Sequence, residues 1–337
     1  MQKQYTSQDF TNGVPPKWCQ GCGDYAVFKA LTTVFARQNI PKEQYVVISG
    51  IGCSSRLPYY MSTYGFHSIH GRAPTMAMGI KMVNPDLSVW VVTGDGDALA
   101  IGGNHYNHIM RRNPDVKIIL FNNQIYGLTK GQHSPTSPLG VKTKTTPFGS
   151  IEPPVQPIPQ AIATGATFAA RVPYTDMELL GEVITAAAQH RGTAIVEVMV
   201  KCAVYGDELF DSLVSSGAKN AHTIVLKDKE PLIFGENRDK GIVIDDFEPK
   251  IVSLNEVNRK NLLVHDVHRN NANLAYMLSS MPFPEFPLPI GIFRQVGKPT
   301  YEEALHEQEQ KIIAEQRQLG LLDIFTDRGT WELKGSV

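Results

Sequence analysis

The sequence predicts a doubly wound α/β layer, a mainly parallel sheet with helices on both faces. Two observations carry this. First, Tyr45–Ser49 (YVVIS), Ser88–Thr93 (SVWVVT), Lys117–Phe121 (KIILF) and Ala194–Val200 (AIVEVMV) are short, continuous apolar runs rich in β-branched residues. Such runs suit strands covered on both faces. Second, helical patterns fall between the runs, and strands alternating with helices are what crossover-connected parallel strands require.

Taken in order, Asp24 is placed to cap a helix that runs to about Arg37. Ala73–Met82 is a small-residue helix, suited to close packing. Ala98–Arg112 follows a glycine turn and is expected as one helix. Pro147–Pro159 (PFGSIEPPVQPIP) breaks regular structure, because proline withholds a backbone donor. Asp176 is placed to cap a helix ending near Arg191. Composition changes past Tyr205. His222–Phe234 and Gly241–Asp245 flank GENRDKG and predict a β-hairpin. Pro282–Pro289 is expected to be extended, and Thr300 with Glu303 forms a capping box for a charged helix ending near Gly320. This last third is too irregular to bury a core of its own. The expected organisation is therefore a site-bearing α/β domain over 1–205, and an irregular C-terminal extension over 206–337 that packs on the core or on a partner chain. No internal repeat is present.

With 337 residues, 42% of them hydrophobic, the chain can build a core without staples. A formal net charge of −1 excludes charge-driven nucleic-acid binding as the main activity. No apolar run approaches the roughly 18 residues that cross a bilayer. Met1–Asp9 is polar and lacks the apolar stretch of a secretory signal. Four cysteines without such a signal point to reduced thiols in the cytoplasm.

Cys19 and Cys22 lie in WCQGCGD, Cys53 lies just past the first strand in GIGCSSR, and Cys202 lies just past AIVEVMV. In an open parallel sheet, sites gather outside the carboxyl ends of the strands, so these thiols can converge. Four thiolates in one place mean zinc or an iron–sulfur cluster. A thioredoxin-like CxxC would open a helix directly after a strand, whereas here Pro15 and Pro16 precede it. Spacing alone leaves zinc and cluster open, although the lack of a second close cysteine pair leans towards a cluster. A lone Cys53 or Cys202, taken without the others, reads as a small buried hydrophobe.

Gly94-Asp95-Gly96-Asp97 ends a strand and opens a helix. Its glycines permit a tight turn and close approach to a phosphate. A carboxylate beside phosphate oxygens is favourable only with a divalent cation between them, and a hard ion such as Mg²⁺ takes oxygen ligands. Asn122-Asn123 ends the next strand and so lies on the same edge. Each motif alone is an ordinary glycine loop or Asx turn. Together, one βαβ unit apart, they point to a diphosphate–metal site.

The flanking text is more specific: WCQGCGD, GIGCSSR, HGRA, GDGDALAIGGNH, RRNPD and NNQIYGLTKGQHSPTS. These segments resemble the β subunit of 2-oxoacid:ferredoxin oxidoreductases, particularly the 2-oxoglutarate type, over about residues 14–205. The resemblance implies the thiamine diphosphate-binding fold, with one thiamine diphosphate, Mg²⁺ and one [4Fe–4S] cluster in this subunit. It implies Cys19, Cys22, Cys53 and Cys202 as cluster ligands. Asp95, Asn123 and the Ile125 carbonyl would bind Mg²⁺; Gly96, Asp97, Gly127 and Leu128 would hold the diphosphate; Ile51, Gly52, Cys53, Ser54 and His70 would line the rest of the cofactor. Around Cys202 the sequence AVYGDE departs from the proline-rich or Asn-containing text of many relatives.

The implied reaction is oxidative decarboxylation of 2-oxoglutarate with coenzyme A to succinyl-CoA and CO₂, electrons leaving through the cluster to ferredoxin, reversible in principle. The runner-up within the class is the pyruvate-type enzyme. A reading of another class is a non-catalytic subunit that binds zinc through four cysteines. Lys130, at the end of YGLTKGQ, is a candidate contact to substrate or coenzyme A, against the ordinary fate of a solvated lysine. Arg72 is a weaker candidate of the same kind. His105 and His108 share a helix face and read as packing residues, and His70 is favoured over His67 by the family pattern alone. Thiamine diphosphate enzymes commonly activate the cofactor through a glutamate. Residues 1–150 contain only Glu43, at the wrong end of a strand, while Glu152 lies in the proline-rich loop and Glu197 inside a strand. The expectation is that an α subunit supplies that glutamate, in an (αβ)₂ assembly with the cofactor at the interface.

Overall fold

The four apolar runs form strands at the centre of one sheet, in a computed structural model that describes residues 4–206, 222–315, 320–325 and 331. The strands are β1 (Tyr45–Ser49), β2 (Tyr64–His67), β3 (Ser88–Gly94), β4 (Val116–Asn122), a small pair β5 (Ile125–Tyr126) and β6 (Gln132–His133), β7 (Phe168–Pro173) and β8 (Ala194–Met199). Past residue 205 come β9 (Thr223–Leu226), β10 (Ile233–Phe234), β11 (Lys240–Asp245), β12 (Glu248–Ser253) and β13 (Leu288–Gln295). The helices are α1 (Asp24–Gln38), α2 (Ala73–Val83), α3 (Gly103–Arg112), α4 (Pro157–Ala163), α5 (Met177–Gln189), α6 (Asn273–Ser279) and α7 (Tyr301–Glu315).

The main sheet has eight strands in the order β2-β1-β3-β4-β8-β7-β13-β9. Every neighbouring pair from β2 to β7 is parallel. The doubly wound, mainly parallel α/β fold is thus the one the chain forms. Side-chain alternation splits each central strand between two apolar layers. Val46, Ile48, Val89, Val91, Ile118, Leu120 and Ile195 belong to one layer. Tyr45, Val47, Trp90, Val92, Ile119, Phe121, Val196 and Val198 belong to the other. Helices α1 and α5 cover the second layer, and α2, α3, α4 and α6 the first. In the second, Phe35 stacks on Tyr45 with ring centroids 4.2 Å apart, and Trp90 closes the group at 4.9 Å. Each such pair adds about 0.5–1.5 kcal/mol to the area buried.

Four local expectations are corrected. Gly23, not Asp24, is the N-cap of α1, and Asp24 makes no capping bond; its carboxylate is turned towards the cysteines instead. The helix expected over Ala98–Arg112 is broken. A π-type turn spans Asp97–Ile101, and α3 starts at Gly103. Gly71 packs against Gly102 so closely that a Cβ on Gly71 would lie 2.6 Å from the Gly102 nitrogen. The proline-rich loop ends earlier than expected, because Pro157 occupies the first turn of α4, where a missing N–H costs nothing. Of the predicted hairpin, only Ile233–Phe234 pairs with Lys240–Gly241. Thr223–Leu226 pairs with β13 in the main sheet.

Asp176 does cap α5, accepting from Leu179 N at 3.3 Å. Thr300 and Glu303 form their capping box, Thr300 N donating to Glu303 Oε2 at 2.9 Å. Residues 316–319, between the described part of that helix and its predicted end near Gly320, lie outside the described residues. Beyond 205, β13 pairs antiparallel with β7 and β9 pairs parallel with β13. The boundary proposed at 205/206 therefore falls within one continuous sheet. Among the described residues no helix is long and apolar enough to cross a membrane.

Candidate active site

Strands β1, β3, β4 and β8 run in parallel, so the loops after Ser49, Gly94, Asn122 and Met199 emerge at one edge. A cavity of about 460 Å³ opens there. Its walls include Ile51, Gly52, Cys53, Ser54 and His70 from the loops after β1 and β2, and Asp95, Gly96 and Asp97 from the turn after β3. Asn123, Ile125, Gly127 and Leu128 come from the loop after β4. One space is thus bounded by every residue expected to hold the cofactor and its metal.

Asp95 is almost fully buried. Its Oδ2 accepts from Ser134 Oγ and Thr136 Oγ1, each at 2.6 Å. Burial drives its pKa up, and the two hydroxyls only partly oppose this. A carboxylate so placed gains from a cation beside it. Asn123 Oδ1 accepts from Ile125 N at 3.2 Å, which curls the chain so that both residues face the cavity. A carboxylate, an amide oxygen and a backbone carbonyl around one space suit a hard divalent ion.

Asp97 has a different position. Its Oδ1 accepts from Ile51 N at 3.0 Å, Gly71 N at 2.7 Å and His70 Nδ1 at 2.6 Å, while Oδ2 accepts from Thr93 Oγ1 at 2.6 Å. The side chain is committed to protein donors, and only its backbone N–H remains for a ligand. Asp97 thereby ties the loop after β1 and the His70-Gly71 turn to the end of β3. Gly50 is needed for the same knot, since a Cβ there would lie 1.9 Å from Asp97 Oδ2. By donating Nδ1–H, His70 keeps Nε2 as the nitrogen open to other partners. Tyr126 OH donates to Gly96 O at 3.1 Å, with its ring where a Gly96 side chain would be.

The four cysteines are brought to one side of this cavity. Cys22 N donates to Cys19 O at 3.1 Å, a tight turn opening α1. Trp18 Nε1 donates to Cys53 O at 2.8 Å, pinning that loop beside the turn. A Cβ on Gly127 would lie 3.2 Å from Cys202 Sγ and 3.8 Å from Cys53 Sγ, so one glycine of the cofactor loop abuts both sulfurs. All four are free thiols. Burial first, then Asp24 and the neighbouring thiols Cys202 and Cys19, pushes Cys53 up to about 12. Cys22 is pushed well above its ordinary value by burial, by Asp24 and by Cys53 and Cys202. Thiols raised in this way stay protonated, and a metal taking them as thiolates would have to displace those protons. Among the described residues no three His, Cys, Asp or Glu side chains are close enough to hold a single metal ion.

Other candidates fall outside the cavity wall. Lys130, in a left-handed conformation at φ 77°, donates its N–H to Gly127 O at 3.0 Å and is exposed. Arg72 Nη1 donates to Ile101 O at 3.2 Å, bracing two loops. His67 stacks on Tyr59 and bonds Ser55 O at 3.0 Å. Glu43 and Glu152 are exposed, and Glu197 is buried against Arg171. Among the described residues no glutamate lines the cavity. Sequence reasoning missed Asp24, whose buried Oδ2 has no hydrogen-bond partner and which lines the cavity beside the thiols. It missed Ser134 and Thr136 as well, although the SPTS text was in view.

Comparison with known proteins gives a consistent picture. Residues 50–198 match the family model described as thiamine pyrophosphate enzyme, C-terminal TPP binding domain. The chain is 46% identical over 302 residues to the 2-oxoglutarate oxidoreductase subunit KorB of Mycobacterium tuberculosis, covering 89% of this chain and 81% of that protein. It is 42% identical over 202 residues to the 2-oxoglutarate synthase subunit KorB of Archaeoglobus fulgidus, covering 60% of this chain and 75% of that one. Among solved structures, a 2-oxoglutarate:ferredoxin oxidoreductase from Magnetococcus marinus with 2-oxoglutarate, coenzyme A and succinyl-CoA bound superposes with a TM-score of 0.76. That likeness has 28% identity and covers 96% of this chain and 95% of the other.

Proposed function

The chain belongs to the β subunits of 2-oxoacid:ferredoxin oxidoreductases of the 2-oxoglutarate type, and on that premise we propose how its residues serve the reaction. It is an oxidoreductase subunit that carries the thiamine diphosphate-binding domain and works on 2-oxoglutarate. In the proposed reaction 2-oxoglutarate and coenzyme A give succinyl-CoA and CO₂, with electrons leaving to ferredoxin. The observation that carries the reading is the single cavity whose wall unites the loops after β1, β3 and β4, with the four cysteines beside it.

Thiamine diphosphate, when bound, supplies the electron sink for loss of CO₂. Asp95, Asn123 and the Ile125 carbonyl would hold Mg²⁺, which would offset the charge of the diphosphate. Gly96, Gly127, Leu128 and the Asp97 N–H offer backbone to the phosphates, since no side chain intervenes at the glycines. Ile51, Gly52 and Ser54 line the cofactor, and His70 presents the ring nitrogen that Asp97 leaves open. Cys19, Cys22, Cys53 and Cys202 would hold a [4Fe–4S] cluster, which would supply one-electron transfer. Cys53 is adjacent to Gly52 and Ser54, so one loop would serve both cluster and cofactor. Lys130, on the loop's outer side, meets an anionic group of substrate or coenzyme A.

The partner is an α subunit, as the β-subunit names of the relatives imply. Because no glutamate lines the cavity among the described residues, the activating glutamate comes from that partner, in an (αβ)₂ assembly in the cytoplasm. The test is to purify this chain alone and measure its iron content, visible spectrum and 2-oxoglutarate oxidation with a low-potential acceptor. A brown, iron-containing chain that turns over only when the α subunit is added is the expected result. Robust turnover by the chain alone overturns the interface, and a colourless zinc protein overturns the cluster.

A further inference from the structure

A second cavity, of about 450 Å³, lies on the other side of the metal loop, and its wall carries a buried charge pair that the reaction above does not use. Arg171 on β7 and Glu197 on β8 are register partners in the parallel sheet. Alternation turns them towards the layer that holds Ala169 and Ile195. Their side chains are 7% and 4% exposed, and Arg171 Nε donates to Glu197 Oε2 at 2.7 Å. Burying two charges is costly unless every remaining donor and acceptor is met. Glu197 is met on both oxygens, since Asn122 Nδ2 donates to Oε1 at 2.7 Å. Arg171 is not. Its Cζ lies 5.5 Å from the Phe293 ring centroid, and Nε makes its one hydrogen bond to the described residues. The two terminal nitrogens of the guanidinium, a planar fork with four N–H groups, are left to the cavity that Arg171 lines. Gln124 lines the same cavity, and its side-chain oxygen is buried without a partner.

We propose that this cavity binds a small aliphatic carboxylate, distinct from the substrate in the cofactor cavity, through the free fork of Arg171. A guanidinium fork matches the two oxygens of a carboxylate geometrically as well as electrically. Glu197 already neutralises Arg171, so a bound carboxylate adds one net negative charge to the pocket, and its binding depends on the free N–H groups of the fork. Met199, Met281, Phe283 and Leu288 give the same cavity an apolar part of its wall. It suits the hydrocarbon body of an acid and not a phosphate or a sugar. The volume lies within the range of small-molecule sites. The site is wired to the metal loop. Thr136 Oγ1 bridges Asn122 Oδ1 at 2.9 Å and Asp95 Oδ2 at 2.6 Å, so Arg171, Glu197, Asn122, Thr136 and Asp95 form one continuous chain of contacts. A ligand that pulls on Arg171 acts on the same network that positions Asp95.

The test uses the complex of this chain with its α subunit, loaded with thiamine diphosphate and Mg²⁺ and saturated with 2-oxoglutarate without coenzyme A. Hexanoate is titrated calorimetrically, with hexylammonium as the charge-reversed probe and sodium chloride as the ionic-strength control. One saturable hexanoate site per chain is expected, with no hexylammonium binding. Affinity falls about tenfold or more in the charge-balanced variant Arg171→Met/Glu197→Gln. Leu288→Trp, which fills the cavity and leaves the pair intact, has the same effect and decides the matter if the double variant does not fold. The proposal is overturned by the absence of saturable binding, which means that the cavity holds only water. Equal affinity in the variants, or equal binding of hexylammonium, overturns it as well.

Discussion

Replacing Asp97 by Asn tests whether the cofactor loops are held by one buried carboxylate. The native Oδ1 gathers the N–H groups of Ile51 and Gly71 and the ring N–H of His70, and Oδ2 takes the Thr93 hydroxyl. In the best orientation Asn keeps its oxygen on the three N–H donors and turns its NH₂ towards Thr93, whose hydroxyl reverses and accepts. The geometry survives and the charge does not. A hydrogen bond to a charged acceptor is worth about 1.5–3 kcal/mol, and one to a neutral acceptor about 0.5–1.5 kcal/mol. Three bonds each weakened by about 1 kcal/mol lose about 3 kcal/mol in all, equivalent to about 150-fold in an equilibrium constant. That loss divides between loop stability in the free protein and re-ordering of the loops when cofactor binds. The assay is calorimetric titration of Mg²⁺–thiamine diphosphate into the complex with the α subunit, with melting followed in parallel. The Kd should rise by between about 20- and 150-fold, with iron content and visible absorption unchanged. A Kd within about threefold of the parent, with unchanged melting, refutes the view that Asp97 organises the site.

Three further outcomes are expected. Cys202→Ala should lose or convert the cluster and stop electron transfer to ferredoxin; unchanged iron content and spectrum would return Cys202 to a packing role. Lys130→Ala should raise KM for 2-oxoglutarate or coenzyme A while leaving cofactor affinity intact, and an unchanged KM for both makes Lys130 a solvated surface residue. The third concerns acid stability. Burial, with Lys117 adding repulsion, lowers His190 to about 4, and Thr167 Oγ1 contacts its Nε2 at 2.8 Å. The unfolded chain takes up a proton at the ordinary histidine value of about 6.5. Stability is therefore full above that value and is lost as pH falls through the window down to about 4. The loss is about 2 kcal/mol at pH 5. The drop in melting temperature between pH 7.5 and 5 should shrink in His190→Gln, and an undiminished drop refutes the assignment.

The central strands and the edge that carries the site were legible in the amino-acid text alone. Continuous apolar runs such as YVVIS and KIILF can be buried only on both faces, and parallel strands send their trailing loops to one edge. The order strand, GDGD, helix, strand, NN was therefore enough to bring Asp95 and Asn123 together, and the cysteines after β1 and β8 had to join them. Tertiary structure decided matters that short-range pattern does not encode. The antiparallel docking of β13 on β7 joins segments more than a hundred residues apart, and such pairing is set by packing and register, not by local propensity. Asp97 looked like a phosphate contact, but its carboxylate is consumed by four donors from two loops and the end of β3, a fact of cross-chain geometry. Glu197 looked like an odd charge in a strand until its register partner proved to be Arg171. Periodicity shows which face of an element is covered, because that depends on neighbours in sequence. Which buried polar atom meets which depends on neighbours in space.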